Sequence, residues 1–237
     1  MKLTIITPCC RPGNLPKLKE SIQFDLIDKW IIVYDTSKDR TYEKQFESDP
    51  KILELECNTI GSAGHPQRNY GINHVEDGYI YMLDDDNIMH PEFWKISSSF
   101  ELPYFYTFNL GKNRYLRGNT IRIGSIDTAM FCIDKSHIKD IKWKEDVYCA
   151  DGYFITDINN LNPESHKYIN IIAAYYNYLS GKSCVSKPKV EPKVEPKVEP
   201  TLKPVIDKTL FNYLLNIPTI PLKDNKKLKI TSKWHKY

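Results

Sequence analysis

The sequence predicts an α/β protein built on a mainly parallel sheet with helices on both faces. Its first hundred residues alternate between short apolar runs and segments of helical pattern, an alternation typical of parallel sheets. The apolar runs are nearly continuous, as expected for strands that are covered on both sides. A chain of 237 residues is long enough to bury one such core and a small appendage.

Alternating strands and helices are predicted in this first part of the chain. The strands are Leu3–Thr7, Trp30–Tyr34, Ile52–Glu56 and Tyr79–Leu83. The helices are Gly13–Ile27, Thr41–Phe46, Pro66–Val75 and Pro91–Phe100. Proline near the first turn favours a helix start, as at Pro66 and Pro91.

The middle of the chain carries shorter elements. Strands are predicted at Tyr104–Asn109, Tyr115–Leu116, Ile121–Ile123, Ser125–Asp134 and Tyr168–Leu179, and a helix at Val147–Ile158. Glycine and asparagine separate the first three of these strands, which is typical of turns. We therefore expect a mixed second half to follow the parallel first half.

A Lys-Val-Glu-Pro repeat divides the chain. It occurs three times between Lys189 and Pro200, and a proline at every fourth residue excludes helix and sheet. Three parts are predicted, namely a domain at residues 1–184, an extended linker at 185–204 and a tail at 205–237. The tail holds a candidate amphipathic helix at Ile206–Asn216 and then a lysine-rich end.

Charge and hydropathy argue against a nucleic-acid-binding protein and against a membrane-spanning one. The net charge of +3 is too small to indicate binding of nucleic acid, and residues 223–237 alone contribute about +5. That basic end is a candidate for weak contact with an anionic membrane surface or another protein. No apolar window approaches a membrane span, and the run before Pro8 is too short for a signal peptide. We therefore expect a cytoplasmic protein with reduced cysteines.

Three consecutive carboxylates, Asp84 to Asp86, directly follow the apolar run Tyr79–Leu83. Ligands bind beyond the carboxyl ends of strands in open α/β sheets. Adjacent carboxylates repel one another unless a cation neutralises them, and their hard oxygen atoms select Mg²⁺ or Mn²⁺, which would bridge to a diphosphate. The alternative is a charged turn that only caps the next helix.

Four segments resemble a known enzyme family. They are Thr7-Pro8 with Arg11-Pro12, Asp35 at a strand end, Gln67-Arg68-Asn69 leading into Gly78–Asn87, and Ile126–Phe131. Over about residues 1–184 they are similar to GT-A glycosyltransferases, most of all to the β-1,3-glucuronyltransferase type. The resemblance implies a GT-A fold, in which a Rossmann-like nucleotide-binding half joins a mixed-sheet acceptor half.

The resemblance also implies roles at the first two strand ends. Thr7, Pro8 and Arg11 would form the opening strand end of the donor site. Asp35 would contact the uracil base of the donor, and its alternative role is to cap the turn that follows it.

The remaining donor roles fall on the triplet and on the helix before it. Asp84 would contact the ribose and Asp86 would ligate the metal, with Asp85 between them in the donor site. Arg68 would face a phosphate or a uracil carbonyl, where its fixed positive charge is useful. The alternative for Arg68 is a surface arginine on a helix.

The acceptor side is predicted from two acids further along the chain. By resemblance, Asp127 would face the acceptor. An inverting transferase needs a general base to deprotonate the acceptor hydroxyl. Asp151, about 65 residues beyond the triplet, is predicted for that role because its position resembles the acid that begins the equivalent GT-A helix. Glu145 and Asp146 are alternatives, and the glucuronyltransferase type uses a glutamate here.

One feature of many GT-A enzymes is missing from this sequence. They complete the metal shell with a late histidine, and no histidine directly follows Ala174–Leu179. Lys182 is a candidate counter-charge for the diphosphate instead. His65 and His90, beside the two strongest motifs, are interpreted as turn or helix-start residues.

The predicted activity is metal-dependent transfer of a sugar from a UDP-sugar to a hydroxyl of a glycan, protein or small-molecule acceptor, with inversion. One alternative is a sugar nucleotidyltransferase, which should carry a glycine-rich loop after its first strand. This chain has Cys9 to Gly13 there, with one glycine. The other alternative is a non-catalytic protein that binds carbohydrate or a nucleotide sugar.

Overall fold

The computed structural model describes residues 1–111 and 115–179. The strands are β1 Leu3–Cys9, β2 Lys29–Asp35, β3 Ile52–Cys57, β4 Tyr79–Met82, β5 Ile88–Met89, β6 Phe105–Gly111, β7 Phe131–Asp134 and β8 His166–Tyr175. The α-helices are α1 Leu15–Ser21, α2 His65–Asn73, α3 Pro91–Ser97, α4 Lys135–Ile138 and α5 Ala150–Leu161. The predicted linker, the predicted tail and Lys182 lie outside the described residues.

All eight strands belong to one mixed sheet in the order β3-β2-β1-β4-β7-β6-β8-β5. The first four are parallel neighbours, with β1 between β2 and β4. Their side chains are largely buried, which confirms the interpretation of the continuous apolar runs. This part of the fold matches the predicted parallel half.

Helix α2 packs closely against the parallel half of the sheet. A Cβ atom at Gly71 would lie 2.6 Å from Cγ2 of Ile6 and 3.3 Å from Cγ2 of Val33. Only a glycine lets the helix backbone approach the strands this closely without displacing them. The contact fixes the position of α2, which carries Arg68 toward the strand ends.

The second half of the sheet is mixed, as predicted. Strand β7 runs antiparallel to β4 and to β6, while β8 runs parallel to β6 and antiparallel to β5. Together with the parallel half, this gives a GT-A fold. No helix in the described part of the chain is long and apolar enough to cross a membrane.

The predicted helix at Thr41–Phe46 is wrong, because no helix forms there. The buried carboxylate of Glu54 accepts hydrogen bonds of 2.8 Å from the backbone N–H groups of Gln45 and Phe46. The ring of Tyr42 stacks on Tyr34 at 5.1 Å. These contacts hold the segment along the sheet and give its N–H groups a partner outside a helix.

Three strand predictions in the second half also need correction, and the first is Tyr115–Leu116, which forms only an isolated bridge between Leu116 and Leu110. Ile121–Ile123 forms no strand, and Ser125–Asp134 becomes a strand only from Phe131 onward. The loop before Phe131 is held by hydrogen bonds to side chains and not by backbone pairing between strands. Thr107 donates its hydroxyl to the carbonyl of Gly118 at 2.6 Å, and the Gly118 N–H donates to the Asn109 side chain at 3.2 Å.

Candidate functional site

A cleft of about 530 Å³ lies at the carboxyl ends of β1, β2 and β4. Nine of the ten predicted site residues line it, and they are Pro8, Arg11, Asp35, Arg68, Asp84, Asp85, Asp86, Asp127 and Asp151. They come from four strand ends or loops, from the start of α2 and from the first turn of α5. The position agrees with the rule that ligands of open α/β sheets bind beyond the carboxyl ends of strands.

Thr7 is the predicted site residue that lies outside this cleft. It is fully buried in β1, and its hydroxyl accepts a hydrogen bond of 2.9 Å from the indole N–H of Trp30. That contact ties β1 to β2 within the core. Its neighbour Pro8 does line the cleft, against the start of α2.

Asp85 is the most enclosed member of the triplet, with 2% of its side chain exposed. One carboxylate oxygen accepts hydrogen bonds from the backbone N–H groups of Cys10 and Arg11 at 2.8 and 2.7 Å. The other accepts from Arg11 Nε at 2.8 Å. Asn14 donates to the Asp85 carbonyl at 3.0 Å. These bonds occupy both oxygens of Asp85 and anchor the loop after β1 to the end of β4.

Arg11 bridges two acids of the triplet. Its Nη2 lies 2.5 Å from Asp85 Oδ1, and its Nη1 lies 2.8 Å from Asp86 Oδ2. Burial and then the charge of Asp84 raise the pKa of Asp86 to about 6, while Arg11 opposes the change. Arg11 thus offsets only part of the effect that burial and the neighbouring acids have on the pKa of Asp86.

Arg68 is buried at the start of α2 and pairs with Asp84. Its Nη1 donates to the carbonyl of Ala63 at 2.6 Å and lies 3.1 Å from His65 Nδ1. Its guanidinium lies over the Trp143 ring at 4.8 Å, a cation–π contact. Burial, followed by the charge of Arg68, lowers the pKa of His65 to about 4, so this imidazole is neutral near pH 7.

A glycine places this start of α2 beside β1. Gly64 has φ +78°, in the left-handed region, and a Cβ there would lie 2.8 Å from the Cβ of Pro8. Any other residue would be strained by both the backbone conformation and the contact. Gly64 thus lets the turn before α2 bring Arg68 to the cleft.

Asp35 is the last residue of β2, and its carboxylate contacts three polar partners. Arg40 Nη1 lies 2.6 Å from one oxygen, and the N–H of Ser37 and the side chain of Gln67 donate to the other at 3.0 and 3.3 Å. Lys38, with φ 59°, also lines this end of the cleft. Gln67, of the Gln67-Arg68-Asn69 segment, therefore contacts Asp35, the acid that is predicted to contact uracil.

Asp127 and Asp151, the two acids predicted for the acceptor side, both line the cleft. Burial, followed by the charges of Asp84 and Asp151, raises the pKa of Asp127 to about 7. One of its oxygens is buried with no hydrogen-bond partner among the described residues. Burial also raises the pKa of Asp151, although a hydrogen bond from the Gly152 N–H at 2.7 Å opposes the change.

The two alternative bases, Glu145 and Asp146, do not line the cleft in the described structure. Glu145 lines a second cavity with Asn69, whose side chain donates to it at 3.1 Å. Asp146 is exposed and is not among the described residues that line the cleft. Of the three candidates, Asp151 is the one that the cleft includes.

Several cleft residues were not predicted from the sequence. Arg40 pairs with Asp35, and Tyr148 lies three residues before Asp151 with 88% of its surface exposed. Tyr176 and Asn177 line the cleft from the segment in which a late histidine was sought. That segment is held by Asn87, whose side-chain oxygen accepts from the Asn177 N–H at 2.8 Å.

The acids of the cleft suit a metal held jointly with a substrate. Within residues 1–111 and 115–179, no group of three or more His, Cys, Asp or Glu is arranged to hold a metal ion. Mg²⁺ commonly binds through one or two carboxylates and completes its shell with substrate phosphates and water. Asp86, which lines the cleft beside Asp84, fits this shared arrangement. The acids do not fit an all-protein cage.

Residues 4–96 match the family model described as Glycosyl transferase family 2. The matched segment contains β1 from its second residue, β2 to β5, Arg68 and the Asp84–Asp86 triplet, whereas Asp127 and Asp151 lie beyond it. No curated protein matches the sequence.

Among solved structures, the chain is similar to S. aureus TarS 1-349, with 15% identity and a TM-score of 0.59. The match covers 74% of this chain and 60% of that one. The complex of TarS 1-349 with UDP-GlcNAc matches at 16% identity and a TM-score of 0.58, covering 74% and 58%. The chain thus spans less than two thirds of these TarS chains. The likeness shows the fold.

Proposed function

We propose that this protein transfers a sugar from a UDP-sugar to an acceptor hydroxyl, with a divalent metal and with inversion. The observation that carries the proposal is the convergence of two sets of acids on one cleft. Asp84 and Asp86 come from the end of β4, while Asp127 and Asp151 come from the second half of the chain. A donor and an acceptor need opposite walls of this kind.

The donor class is inferred from the first wall and from the fold. TarS 1-349 has been solved with UDP and with UDP-GlcNAc, which supports a uridine nucleotide for this chain also. Asp35 and Gln67 offer a carboxylate and an amide to the edge of a base. Arg68 supplies a buried positive charge near Asp84, where ribose and phosphate would lie.

The acceptor chemistry is assigned to Asp151. Its carboxylate would accept the proton of the acceptor hydroxyl while that oxygen attacks the anomeric carbon and UDP leaves. Asp127, with its unpartnered buried oxygen, would hold a sugar hydroxyl nearby. A bound Mn²⁺ or Mg²⁺ would stabilise the charge that develops on the leaving diphosphate, held by Asp86 together with phosphate oxygens.

Calorimetric titration with UDP, with and without Mn²⁺, tests the donor proposal. We expect binding that is stronger with Mn²⁺, and loss of that enhancement in Asp86→Asn. No binding of UDP under either condition would contradict the proposal.

Release of UDP from a panel of UDP-sugars then identifies the donor. Inclusion of UDP-glucuronic acid tests the predicted glucuronyltransferase subtype. Formation of pyrophosphate from a sugar 1-phosphate and UTP would favour the nucleotidyltransferase alternative, and UDP-sugar binding without turnover across acceptors would favour a binding protein.

A further inference from the structure

We propose that Arg11 is an internal counter-ion of the triplet, which competes with a divalent cation for Asp86 in the free protein. The inference rests on the proposed function and concerns how that site behaves before the donor arrives. Its basis is the geometry of one guanidinium that contacts two neighbouring acids, Asp85 and Asp86.

Loss of the Arg11 side chain would affect its two partners, Asp85 and Asp86, differently. Asp85 keeps two further hydrogen bonds, from the backbone N–H groups of Cys10 and Arg11, whatever the side chain of residue 11 does. Asp86 has no such backbone partner among the described contacts, and its ion pair with Arg11 Nη1 is the one that a cation would disturb.

The position of Arg11 opposes a cation at Asp86 for two reasons. Arg11 Nη1 takes up Asp86 Oδ2 at 2.8 Å, so that oxygen is less available as a ligand. A divalent ion on the other oxygen would lie within a few ångströms of a guanidinium that is always charged, and like charges at that distance repel. The third acid, Asp84, is paired with Arg68, which offsets part of its charge.

A diphosphate changes the balance, because its negative charges can face the guanidinium and the metal together. Free protein should therefore bind Mn²⁺ weakly, and Mn²⁺ and UDP should each strengthen the binding of the other. Reciprocal strengthening of this kind is required whenever one ligand raises the affinity for another.

The test measures Mn²⁺ binding to the nucleotide-free protein by electron paramagnetic resonance, without any turnover. We expect Arg11→Gln to bind Mn²⁺ about tenfold more tightly than wild type, since one opposing charge is removed while the amide still reaches Asp85. Arg40→Gln is the matched control, because Arg40 pairs with Asp35 in the same cleft and should leave the Mn²⁺ affinity unchanged.

A second variant covers the case in which Arg11→Gln does not fold. Arg11→Lys keeps the charge but has a single ammonium, which cannot bridge two acids, and we expect an intermediate Mn²⁺ affinity. Adding Asp86→Asn to whichever variant folds should abolish the gain. Equal or weaker Mn²⁺ binding by a folded Arg11 variant that still binds UDP would overturn the inference. Absence of UDP binding in wild type would instead contradict the proposed function.

Discussion

The buried carboxylate of Asp85 anchors Arg11 through its backbone and its side chain together. One oxygen accepts the Arg11 N–H at 2.7 Å, and the other accepts Arg11 Nε at 2.8 Å. The middle acid of the triplet therefore has a structural task that its neighbours do not share. It fixes the loop after β1 against the end of β4.

This relationship leads us to expect that Asp85→Asn destabilises the fold. The variant removes a buried charge and leaves Arg11 without its main partner, which should lower the free energy of unfolding by about 2–4 kcal/mol. Denaturation in urea measures the change. Asp77→Asn is the control, since Asp77 forms an exposed pair with Lys2 and should change stability by less than about 1 kcal/mol. Equal stability of the two variants would contradict the anchoring role.

Asp127 should make stability depend on pH. Its folded-state pKa of about 7 lies above the ordinary aspartate pKa of about 4, so the folded protein retains a proton that the unfolded chain loses. The resulting stabilisation is complete below about pH 4 and is lost as the pH rises through about 7. Between about pH 5 and about pH 8, we expect the wild type to lose on the order of 2 kcal/mol through this group.

Unfolding in urea at the two pH values measures this loss. Asp127→Asn should remove the corresponding part of the pH dependence, because an amide does not titrate. Asp140→Asn, at an exposed position, should keep the wild-type dependence. If Asp127→Asn also kept it, the proton uptake would belong to another group.

Asp151→Asn should separate binding from transfer. Without a general base, the transfer rate should fall by about 10²–10⁴-fold, while UDP binding should change little because the donor wall is intact. Single-turnover kinetics and calorimetry measure the two quantities. Glu145→Gln is the control, since Glu145 lines the second cavity. Loss of transfer in Glu145→Gln with retention in Asp151→Asn would reverse the assignment.

Arg68→Lys should weaken donor binding although the charge is preserved. A lysine cannot reproduce the simultaneous contacts with Asp84, the Ala63 carbonyl and the Trp143 ring. We expect the Kd for UDP to rise about tenfold or more, as measured by calorimetry. The exposed Arg122→Lys serves as control and should bind UDP as wild type does. An unchanged Kd in Arg68→Lys would place the donor phosphates elsewhere.

The parallel half of the fold was predictable because its signals are local. Continuous apolar runs mark β1 to β4, and the acids after β2 and β4 lie where ligands bind in such sheets. The meeting of Asp84 with Asp151 was predicted only through the resemblance to a family. Helix boundaries differed by a few residues where prolines and short 3₁₀ turns intervene, as between Gly13 and Ile27.

The rest depended on side chains that are distant in sequence. The Glu54 carboxylate accepts hydrogen bonds from the N–H groups of Gln45 and Phe46, where a helix was predicted. The sequence of residues 41–46 alone gives no sign of these bonds. The bridge from Arg11 to the triplet spans more than seventy positions of the chain. Local propensity cannot foresee such contacts, because they become favourable only after the fold has brought the partners together.

One continuous ladder of backbone hydrogen bonds lies beneath both walls of the cleft, because β4 pairs with β7 from Tyr79 to Tyr81. The two walls are therefore not separate bodies that can hinge apart, since opening between them would break the sheet. Movement at the cleft would therefore be confined to the loops that border it, which include residues 36–40, 58–64, 115–127 and 146–149. Loop motions of this kind take microseconds to milliseconds and often limit turnover. The sheet beneath the cleft thus leaves any motion that accompanies the proposed transfer to these bordering loops.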